Sequence, residues 1–404
     1  MMEIKSLKEL IQKPITGEWG QEGSTVKILR TTNFTNEGRL DYSKVVFRDV
    51  EPKKIAVKRL NKGDIIIEKS GGSPTQPVGR VVYFDNEEEF LCNNFTAILR
   101  PDQELIYPKY LLYILFCNHK FGFTSAYQNK TTGIINLQLP KYIAGTKIPL
   151  PPLPQQKKIA SILDAADAYR QKTKALIAKY DELTQSLFLD MFGDPVANNK
   201  KWKVDKLKSL STKIGSGNTP KGGKKVYVDE GITFFRSMNV WKNNIVYEDI
   251  AFIDEETHSK MPKSSLKHKD ILMTKTGRVN TENSSLGRAA LYLGEDDMAN
   301  VNGHVYLIRL KEGVLHEFVL HILTSKEYRD LIRRVCVGGI DKRQLNKDHI
   351  EDFPIIAPPQ DMQDKFVNNL KTINHHKESL KESLAKAEDL FNSLLQKAFK
   401  GELS

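Results

Sequence analysis

The clearest hydrophobic pattern in the chain lies in two long segments that lack both glycine and proline. The first spans residues 155–192, where apolar or small side chains recur in alternating steps of three and four residues. This heptad spacing is typical of a coiled-coil helix, and it is carried by Ile159, Ile162, Ala166, Tyr169, Thr173, Leu176, Tyr180, Leu183 and Leu187. A proline at residue 154 precedes the segment, and Gly193-Asp194-Pro195 follows it as a glycine stop and a proline. The pattern therefore predicts one long helix.

A second segment near the end of the chain repeats this pattern. Pro358-Pro359 precedes it, Gly401 follows it, and Lys377 interrupts the apolar series. The series consists of Phe366, Leu370, Ile373, Leu380, Leu384, Ala387, Phe391, Leu394 and Ala398. At ~1.5 Å per residue each helix would extend about 57 Å, whereas a domain of about 150 residues has a radius of gyration of only ~15 Å. Each helix could pack on its own globular segment, but its length favours a long antiparallel coiled-coil pair that holds two globular segments apart.

The globular segments before the two helices repeat one another. Residues 30–34 recur at 236–240, and residues 64–71 recur at 270–277, both with a shift of 206 residues. Gly79-Arg80 recurs as Gly287-Arg288. Because the order is kept and the offset drifts by only a few residues, we interpret the chain as an internal duplication with pseudo-two-fold character. The duplication predicts four consecutive parts, residues 1–147, 148–195, 196–353 and 354–404.

Each globular segment mixes short β-branched and aromatic runs with Gly and Asn turns. Residues 65–67, 81–84 and 305–308 predict strands, and the runs around Tyr110 and Phe318 predict short amphipathic helices. The predicted fold class is therefore α/β (α+β), with two similar loop-rich globular domains separated by two long antiparallel coiled-coil helices.

Length and composition limit the possible classes of protein. The chain has 404 residues, of which 40% are hydrophobic, so it is too apolar for a disordered chain and long enough for about two to four domains. The apolar stretch at residues 110–117 is shorter than the ~20 residues of a membrane helix, and no apolar signal core follows Met1. We therefore expect a cytoplasmic protein with no membrane contact. Cys92, Cys117 and Cys336 form no Cys-x-x-Cys pair and are expected to be small buried residues.

The charge balance indicates a polyanionic partner. With 61 Lys and Arg against 50 Asp and Glu, the formal net charge is +11 and the isoelectric point is about 9.2. Among polyanions, nucleic acid is the most frequent partner of a basic surface.

Motifs for catalysis are missing from the sequence. No His-Glu-x-x-His occurs, and residues 217–224 resemble a phosphate loop except that Gly223 stands where the lysine is required. Asp194-Pro195-Val196 lacks the second proline and the aromatic residue of the amino-methyltransferase motif. His375-His376 fits a solvated helix face better than a metal site. We therefore expect that the chain has no catalytic activity of its own and binds no metal.

The layout and the helix ends resemble the DNA specificity subunit of type I restriction-modification systems. Residues 148–159 resemble that family's entry into its central conserved helix, and residues 187–195 resemble its exit. Residues 358–366 and 394–403 resemble the distal copy of the same elements. The resemblance spans essentially the whole chain.

Short details support the resemblance, and some depart from it. Gly133-Ile134 and Gly339-Ile340 resemble the Gly-Ile element that precedes each helix in the family. In the distal copy Asp361-Met362 replaces the Pro-Gln of the first helix, and the glycine stop lies one place later. These departures concern the end of the second helix.

The resemblance implies a function and a set of partners. Each globular segment would be a target recognition domain that reads one half of an asymmetric, split site in double-stranded DNA. The helices would set the gap between the halves and dock two modification (methyltransferase) subunits, which would supply S-adenosylmethionine. Restriction (endonuclease/translocase) subunits would use ATP and Mg. The chain itself would bind none of these cofactors.

Readout of DNA needs particular side chains, and these occur in the loops after the repeated strands. Arg pairs with guanine, Asn or Gln with adenine, and Lys or backbone amides with phosphate. In the first copy the candidates are Thr31, Thr32, Asn33, Lys69, Ser70, Gly71, Arg80, Gln128, Lys130, Thr131 and Thr132. In the second copy they are Lys221, Lys224, Ser237, Asn239, Lys275, Thr276, Arg278, Lys342 and Arg343. Each set also fits a solvated turn, residues 69–73 are expected to form a flexible basic turn, and Arg80 could be structural.

Two other interpretations stay open at the level of sequence. The chain could be a non-catalytic fragment of a fused restriction-modification enzyme, although the pseudo-symmetric layout from Met1 to just past the second helix argues against this. It could also be a coiled-coil scaffold without a DNA role. The binding of such a scaffold would ignore salt, whereas phosphate-mediated binding weakens steeply as salt rises.

Overall fold

The computed structural model describes residues 3–131, 134–279, 283–339 and 341–403, without the side chains of Lys130 and Thr131. The chain forms two compact units. The first unit contains Met1–Leu176 and Leu380–Ser404, and the second contains Ile177–Ser379. The predicted boundaries at residues 147, 195 and 353 divide the chain into consecutive segments. The compact units do not coincide with these segments, because each globular segment packs against parts of both long helices.

The first unit contains short strands, three short helices and parts of two long helices. Its strands are β1 (Glu3–Ser6), β2 (Ile15–Thr16), β3 (Gln21–Leu29), β4 (Val46–Asp49), β5 (Ile65–Glu68), β6 (Ser70–Gly72), β7 (Val81–Tyr83), β8 (Phe90–Cys92), β9 (Thr96–Leu99), β10 (Gln128–Thr131), β11 (Ile134–Leu137) and β12 (Lys147–Leu150). Its helices are α1 (Pro52–Lys58), α2 (Pro108–Lys120), α3 (Leu139–Gly145), the beginning of α4 (Leu153–Phe192) and the end of α10 (Gln360–Lys400).

The second unit repeats this order with a few additions. Its strands are β13 (Lys203–Lys206), β14 (Ser211–Ser216), β15 (Tyr227–Val228), β16 (Ile232–Phe235), β17 (Val240–Trp241), β18 (Asn244–Ile245), β19 (Ala251–Ile253), β20 (Ile271–Thr274), β21 (Thr276–Gly277), β22 (Ala289–Leu291), β23 (Ala299–Val301), β24 (Val305–Leu310), β25 (Val337–Gly338), β26 (Arg343–Gln344) and β27 (Pro354–Ala357). Its helices are the end of α4, α5 (Leu207–Leu210), α6 (Glu255–Ser259), α7 (His316–Thr324), α8 (Lys326–Val335), α9 (Lys347–Glu351) and the beginning of α10 (Gln360–Lys400).

The sheets of the two units correspond strand by strand. The four-stranded sheet β2-β9-β5-β7 has its counterpart in β14-β24-β20-β22. The parallel pair β3–β8 corresponds to the parallel pair β16–β23, and β1–β12 corresponds to β13–β27. A small sheet, β10-β11-β6 in the first unit and β25-β26-β21 in the second, completes each globular segment. This correspondence confirms the internal duplication and the mixed α and β fold class.

The predicted local elements are confirmed, with one correction. Residues 65–67, 81–84 and 305–308 form β5, β7 and β24 apart from residue 84, and the predicted amphipathic helices are α2 and α7. The expected flexible turn at residues 69–73 instead contains β6, because its backbone pairs with β11. Gly71 adopts a φ of +94° there, a conformation that favours glycine. All three cysteines are buried, as predicted.

The two long helices run antiparallel to each other inside each unit. In the first unit Lys174 of α4 lies 3.1 Å from Glu388 of α10. In the second unit Lys377, the residue that interrupts the apolar series, pairs with Asp181. Within the first unit Arg170 lies against Phe391, and within the second Phe188 lies against Phe366, so in each unit a higher residue number on α4 meets a lower one on α10. The helices end at Phe192 and Lys400, directly before glycines with φ of +76° and +73°, so the predicted stops are confirmed.

The predicted apolar seam is correct on α10 but partly wrong on α4. None of the nine predicted seam positions on α10 is exposed. On α4, Tyr169, Leu176 and Leu183 are 56%, 37% and 49% exposed. The buried positions instead include Asp167 and Arg170. Heptad spacing of apolar side chains therefore predicts the helix, but it does not reveal that part of the buried face of α4 is polar.

Candidate nucleic-acid interface

The small sheet of the first unit brings several predicted residues together. Strand β6 lies between Lys69 and the loop that leads to β7, and it pairs with β11. The Ser70 hydroxyl donates a hydrogen bond to the side-chain oxygen of Asn136 on β11. The Gln128 amide donates to the carbonyl oxygen of Val78 at 2.9 Å, which ties β10 to the loop after β6. The predicted residues that this sheet unites are Lys69, Ser70, Gly71 and Gln128.

Some predicted positions of this sheet are only partly described. The backbone of Lys130 and Thr131 belongs to β10, but their side chains lie outside the described residues, as does all of Thr132. Gly133 and Ile340, which the family resemblance used, also lie outside them. The DNA contacts predicted for these positions stay predictions.

Arg80 does not fit its predicted role. Its Nε and Nη2 donate to the two carboxylate oxygens of Glu68, both at 2.9 Å, and Nη2 also lies 3.3 Å from the carbonyl oxygen of Thr31. The side chains of Arg80 and Glu68 are only 19% and 6% exposed. The hydrogen bond to Glu68 raises the pKa of Arg80. Glu68 therefore neutralises the charge of Arg80, and the hydrogen bond to Thr31 holds the turn there in place. The prediction of a DNA contact for Arg80 is not supported.

Asn33 and Asn239 are corrected in the same way, because both are fully buried. The Asn33 side-chain oxygen accepts from the backbone amide of Arg30 at 2.8 Å, and its nitrogen donates to the carbonyl of Asp41 at 2.9 Å. Asn239 makes the matching bond to the Arg236 amide at 3.0 Å. Both amides shape a short 3-10 turn. In these turns Thr32 is exposed, whereas Thr31 and Ser237 are half-buried.

The small sheet of the second unit brings together the matching residues. Thr276 and Gly277 of β21 pair with Gln344 and Arg343 of β26. A cleft of about 370 Å³ opens beside this sheet, lined by Thr276, Gly277, Arg278, Asn283, Ser284, Ser285, Asp341 and Lys342. Arg278 and Lys342 are exposed there, and Lys275 and Arg343 are half-buried. The structure therefore unites the predicted residues Lys275, Thr276, Arg278, Lys342 and Arg343.

The basic loop of the second unit approaches the same sheet. The backbone amide of Lys275 donates to the carbonyl of His304 at 2.8 Å. A Cβ placed on the neighbouring Gly303 would lie 3.5 Å from the hydroxyl of Thr219. Lys221 and Lys224 follow Thr219 closely and are exposed. This loop has no counterpart in the first unit, where the chain passes directly into β3.

Two exposed aromatic residues beside these surfaces, Phe95 and Trp241, were not predicted. In the first unit the carbonyl of Phe95 accepts from the Lys69 amide at 2.9 Å, and the Phe95 ring is 46% exposed. In the second unit Met238 and Trp241 are 50% and 41% exposed, and the Trp241 indole donates to the Met238 carbonyl at 3.1 Å. The internal repeat was the available signal, since Phe95 follows the matched strand β8 and Trp241 directly follows the matched residues 236–240.

Neither metal ligands nor membrane spans add to this picture. Within residues 3–131, 134–279, 283–339 and 341–403, no group of three or more His, Cys, Asp or Glu side chains could hold a metal ion. No helix in the same residues is long and apolar enough to cross a membrane.

Comparison with protein families decides the class of the chain. Residues 2–181 and 199–388 each match the type I restriction modification DNA specificity domain. The chain belongs to this family. It carries the DNA specificity domain twice, and both small sheets lie within the matched residues.

Relatives of the same family align over nearly the whole chain. The type I restriction enzyme EcoKI specificity subunit of Escherichia coli is 25% identical over 402 residues, which cover 93% of this chain and 82% of the relative. The StySPI specificity subunit of Salmonella potsdam is 25% identical over 399 residues, with the same shares covered. The solved S subunit of M. genitalium has the same fold, with a TM-score of 0.56 and 15% identity over 99% of this chain and 96% of that chain.

Proposed function

We propose that this chain is the DNA-reading subunit of a type I restriction-modification complex, in which each DNA specificity domain reads one half of a split site. The observation that carries this proposal is the repeated small sheet, which in both units presents a Lys-Ser/Thr-Gly segment beside polar and basic side chains. Since the side chains differ between the two sheets, the two half-sites differ and the whole target is asymmetric.

Specific side chains in each sheet provide the donors and acceptors for base recognition. In the first domain Gln128 has the paired donor and acceptor that suit adenine, and Lys69 and Ser70 suit phosphate. In the second domain the exposed fork of Arg278 suits guanine, while Lys221 and Lys342 are long cations for the backbone. Further candidates for backbone or base contacts are Thr32, Gly71, Lys224, Ser237, Lys275, Thr276 and Arg343.

The long helices have a separate part in this proposal. They set the gap between the two half-sites and dock two modification subunits. The exposed Tyr169 and Leu176 in the first unit, and the exposed Leu183 in the second, are apolar side chains on α4 that fit such partners. Restriction subunits complete the complex in the cytoplasm, where the DNA lies. The chain itself is non-catalytic, and S-adenosylmethionine, ATP and Mg belong to the partner subunits.

Methylome sequencing of cells that carry the reconstituted complex tests the reading function. We expect methylation of one split sequence, and replacement of residues 1–147 by another domain of this family should change only one half of it. Methyl transfer by the free chain would refute the non-catalytic assignment. A change in both halves after the exchange would refute independent reading.

A deletion in α4 tests the role of the helices. Removing four residues between Lys174 and Glu182 shortens the helix by about one turn, ~6 Å. We expect either a changed gap between the half-sites or loss of assembly with the modification subunit. An active complex that methylates the original sequence with the original gap would contradict the proposed role.

A further inference from the structure

The second unit contains a group of arginines with no equivalent in the first unit. We define the arginine cluster as Arg278, Arg288, Arg329 and Arg333. Arg278, Arg329 and Arg333 line one small cleft together with Ser284. Arg288 joins them, because its Nε and the Nη2 of Arg329 both donate to the carbonyl oxygen of Ser284, at 3.1 and 3.2 Å. The cluster therefore surrounds one short loop.

The second copy lacks the carboxylate that pairs with Arg80 in the first copy. Arg288 corresponds to Arg80, but the residue that corresponds to Glu68 is Thr274. The Thr274 hydroxyl accepts from the backbone amide of Arg288 at 2.9 Å, and among residues 3–131, 134–279, 283–339 and 341–403 the Arg288 guanidinium makes no ion pair. The guanidinium instead lies 3.8 Å from the centre of the Trp241 ring. Cation–π stacking thus holds the side chain in place without neutralising it.

Helix α8 brings further charge to this arginine. Its Ile332 packs on Gly287, where a Cβ would lie only 2.8 Å from Ile332 and where φ is +67°. At the corresponding place in the first unit, Gly79 meets Thr124 of a short 3-10 turn that carries no arginine. The packing of Ile332 orients Arg329 and Arg333 of the same helix toward the loop at Ser284.

The positive charges of the cluster oppose one another. Burial, followed by the charge of Arg329, lowers the pKa of Arg288, and burial followed by the charge of Arg333 lowers the pKa of Arg329. In the part of the chain that the structure describes, the only ion pair of the cluster joins Arg333 to Asp330, which is 55% exposed. Guanidinium groups placed this close together favour an anionic partner.

We propose that Arg329 and Arg333 of the arginine cluster bind phosphate groups of the DNA backbone next to the half-site that the second domain reads, while Arg278 faces the bases. The inference rests on the proposed function. Arg278 belongs to both the cluster and the cleft of the small sheet, so a duplex on the sheet passes beside Arg329 and Arg333. The second domain thereby supplies more of the salt-dependent affinity than the first.

The salt dependence of DNA binding tests this inference in the complex with the modification subunit. The affinity is measured by fluorescence anisotropy over a range of salt concentrations. The probe is a duplex that contains the split sequence that the complex methylates. Each phosphate contact contributes about 0.9 to the slope of log K against log salt. We expect Arg329→Gln with Arg333→Gln to reduce the slope by about 1 to 2 and to leave the methylated sequence unchanged. Lys260→Gln removes a surface charge that pairs with Glu256 and serves as the control with an unchanged slope.

Each outcome supports or overturns the proposal. An unchanged slope in the double variant overturns it, and weaker association with the modification subunit at an unchanged slope assigns the cluster to a protein partner instead. If the double variant does not fold, Arg333→Gln alone decides the question, because this side chain is already 37% exposed. If the wild-type complex methylates no split sequence, the reading function fails, yet the slope on random DNA still tests the cluster.

Discussion

The two units attach the same globular fold to the long helices by different chemistry. In the first unit an ionic group adds to the apolar contacts of both helices, since Asp167 of α4 pairs with Arg170 of the same helix at 2.9 Å and with Arg39 of the globular segment at 3.1 Å. The side chains of Asp167 and Arg170 are only 7% and 5% exposed. Arg170 also lies 4.4 Å from the ring centre of Phe391.

In the second unit the attachment is aromatic. Phe188 and Phe192 of α4, Phe318 of α7 and Phe366 of α10 are buried together, with ring centres of neighbouring pairs 5.1 to 6.3 Å apart. His321 lies against this group, 4.6 Å from Phe188. Duplicated topology therefore does not require duplicated packing chemistry. The two units should respond differently to truncation, to charge removal and to acid.

Truncation of the aromatic group should have the largest effect. Phe366 is fully buried and contacts Phe188, Phe192 and Phe318. We expect Phe366→Ala to lower the free energy of unfolding by about 3–5 kcal/mol, measured by urea titration of the isolated chain. Leu183→Ala, at an exposed position of the same unit, should change it by less than about 0.5 kcal/mol. Equal effects of the two changes would show that the aromatic group does not hold the unit together.

Removal of one buried charge should have the next largest effect. Asp167→Asn removes the nearer carboxylate of the buried Arg170 and leaves it only Glu37 at 3.7 Å, so we expect a loss of about 3 kcal/mol in unfolding free energy. Asp330→Asn breaks an exposed pair with Arg333 and should cost less than about 1 kcal/mol. Replacing Asp167 and Arg170 together by leucine should recover much of the loss. No recovery in the double variant would mean that the ion pair has a role beyond charge compensation.

Acid should weaken the second unit through His321. Burial, and then the charge of Lys242, lowers the pKa of His321 from 6.5 to about 4. Between these values the unfolded state binds a proton that the folded state does not bind, so stability falls as the pH drops from 6.5 to 4. We expect a loss of about 2 kcal/mol between pH 7 and pH 5 from this group. The loss is measured by urea titration at both pH values.

The matched variant for this effect is His321→Leu, which cannot take up a proton. Its unfolding free energy should fall about 2 kcal/mol less than that of the wild type over the same pH interval. If the two proteins lose stability in parallel, His321 is not the origin of the acid sensitivity. The charge network of the first unit would then be the next place to look.

The smallest expected effect is a loss of base discrimination in one half-site for each small sheet. Arg278→Ala should relax one base position of one half-site, with a loss of roughly 1 kcal/mol in discrimination. Gln128→Ala should do the same in the other half-site. Methylome sequencing of both variants reports the affected positions. Relaxation of the same half by both changes would contradict the assignment of one half-site to each domain.

Much of the fold could be predicted because the signals are local. The glycines at residues 193 and 401 follow the two long helices directly, and both take a positive φ. The repeat predicted matching strands such as β5 and β20, which the sheets confirm. For the candidate interface, the repeat also located the segments at Lys69 and Lys275.

Other parts of the site could not be predicted, because they depend on partners far along the chain. The sequence shows Gly79-Arg80 and Gly287-Arg288 as equivalent, yet Glu68 neutralises Arg80, while Arg288 lies beside Arg329. Asn33 and Asn239 have the right chemistry for adenine, but both are buried in turns. Side-chain type alone does not reveal which amide or guanidinium is already satisfied.

The amino-acid sequence by itself determined the duplication, the extent of both long helices and the family, because each depends on spacing and on residues close together in the chain. Only the tertiary structure decided which face of α4 is buried and that Glu68 neutralises Arg80. Burial and charge compensation arise from contacts such as that of Arg39 with Asp167, residues 128 positions apart. Whether a side chain is buried and neutralised depends on such distant neighbours, and the residues next to it in the sequence do not specify them.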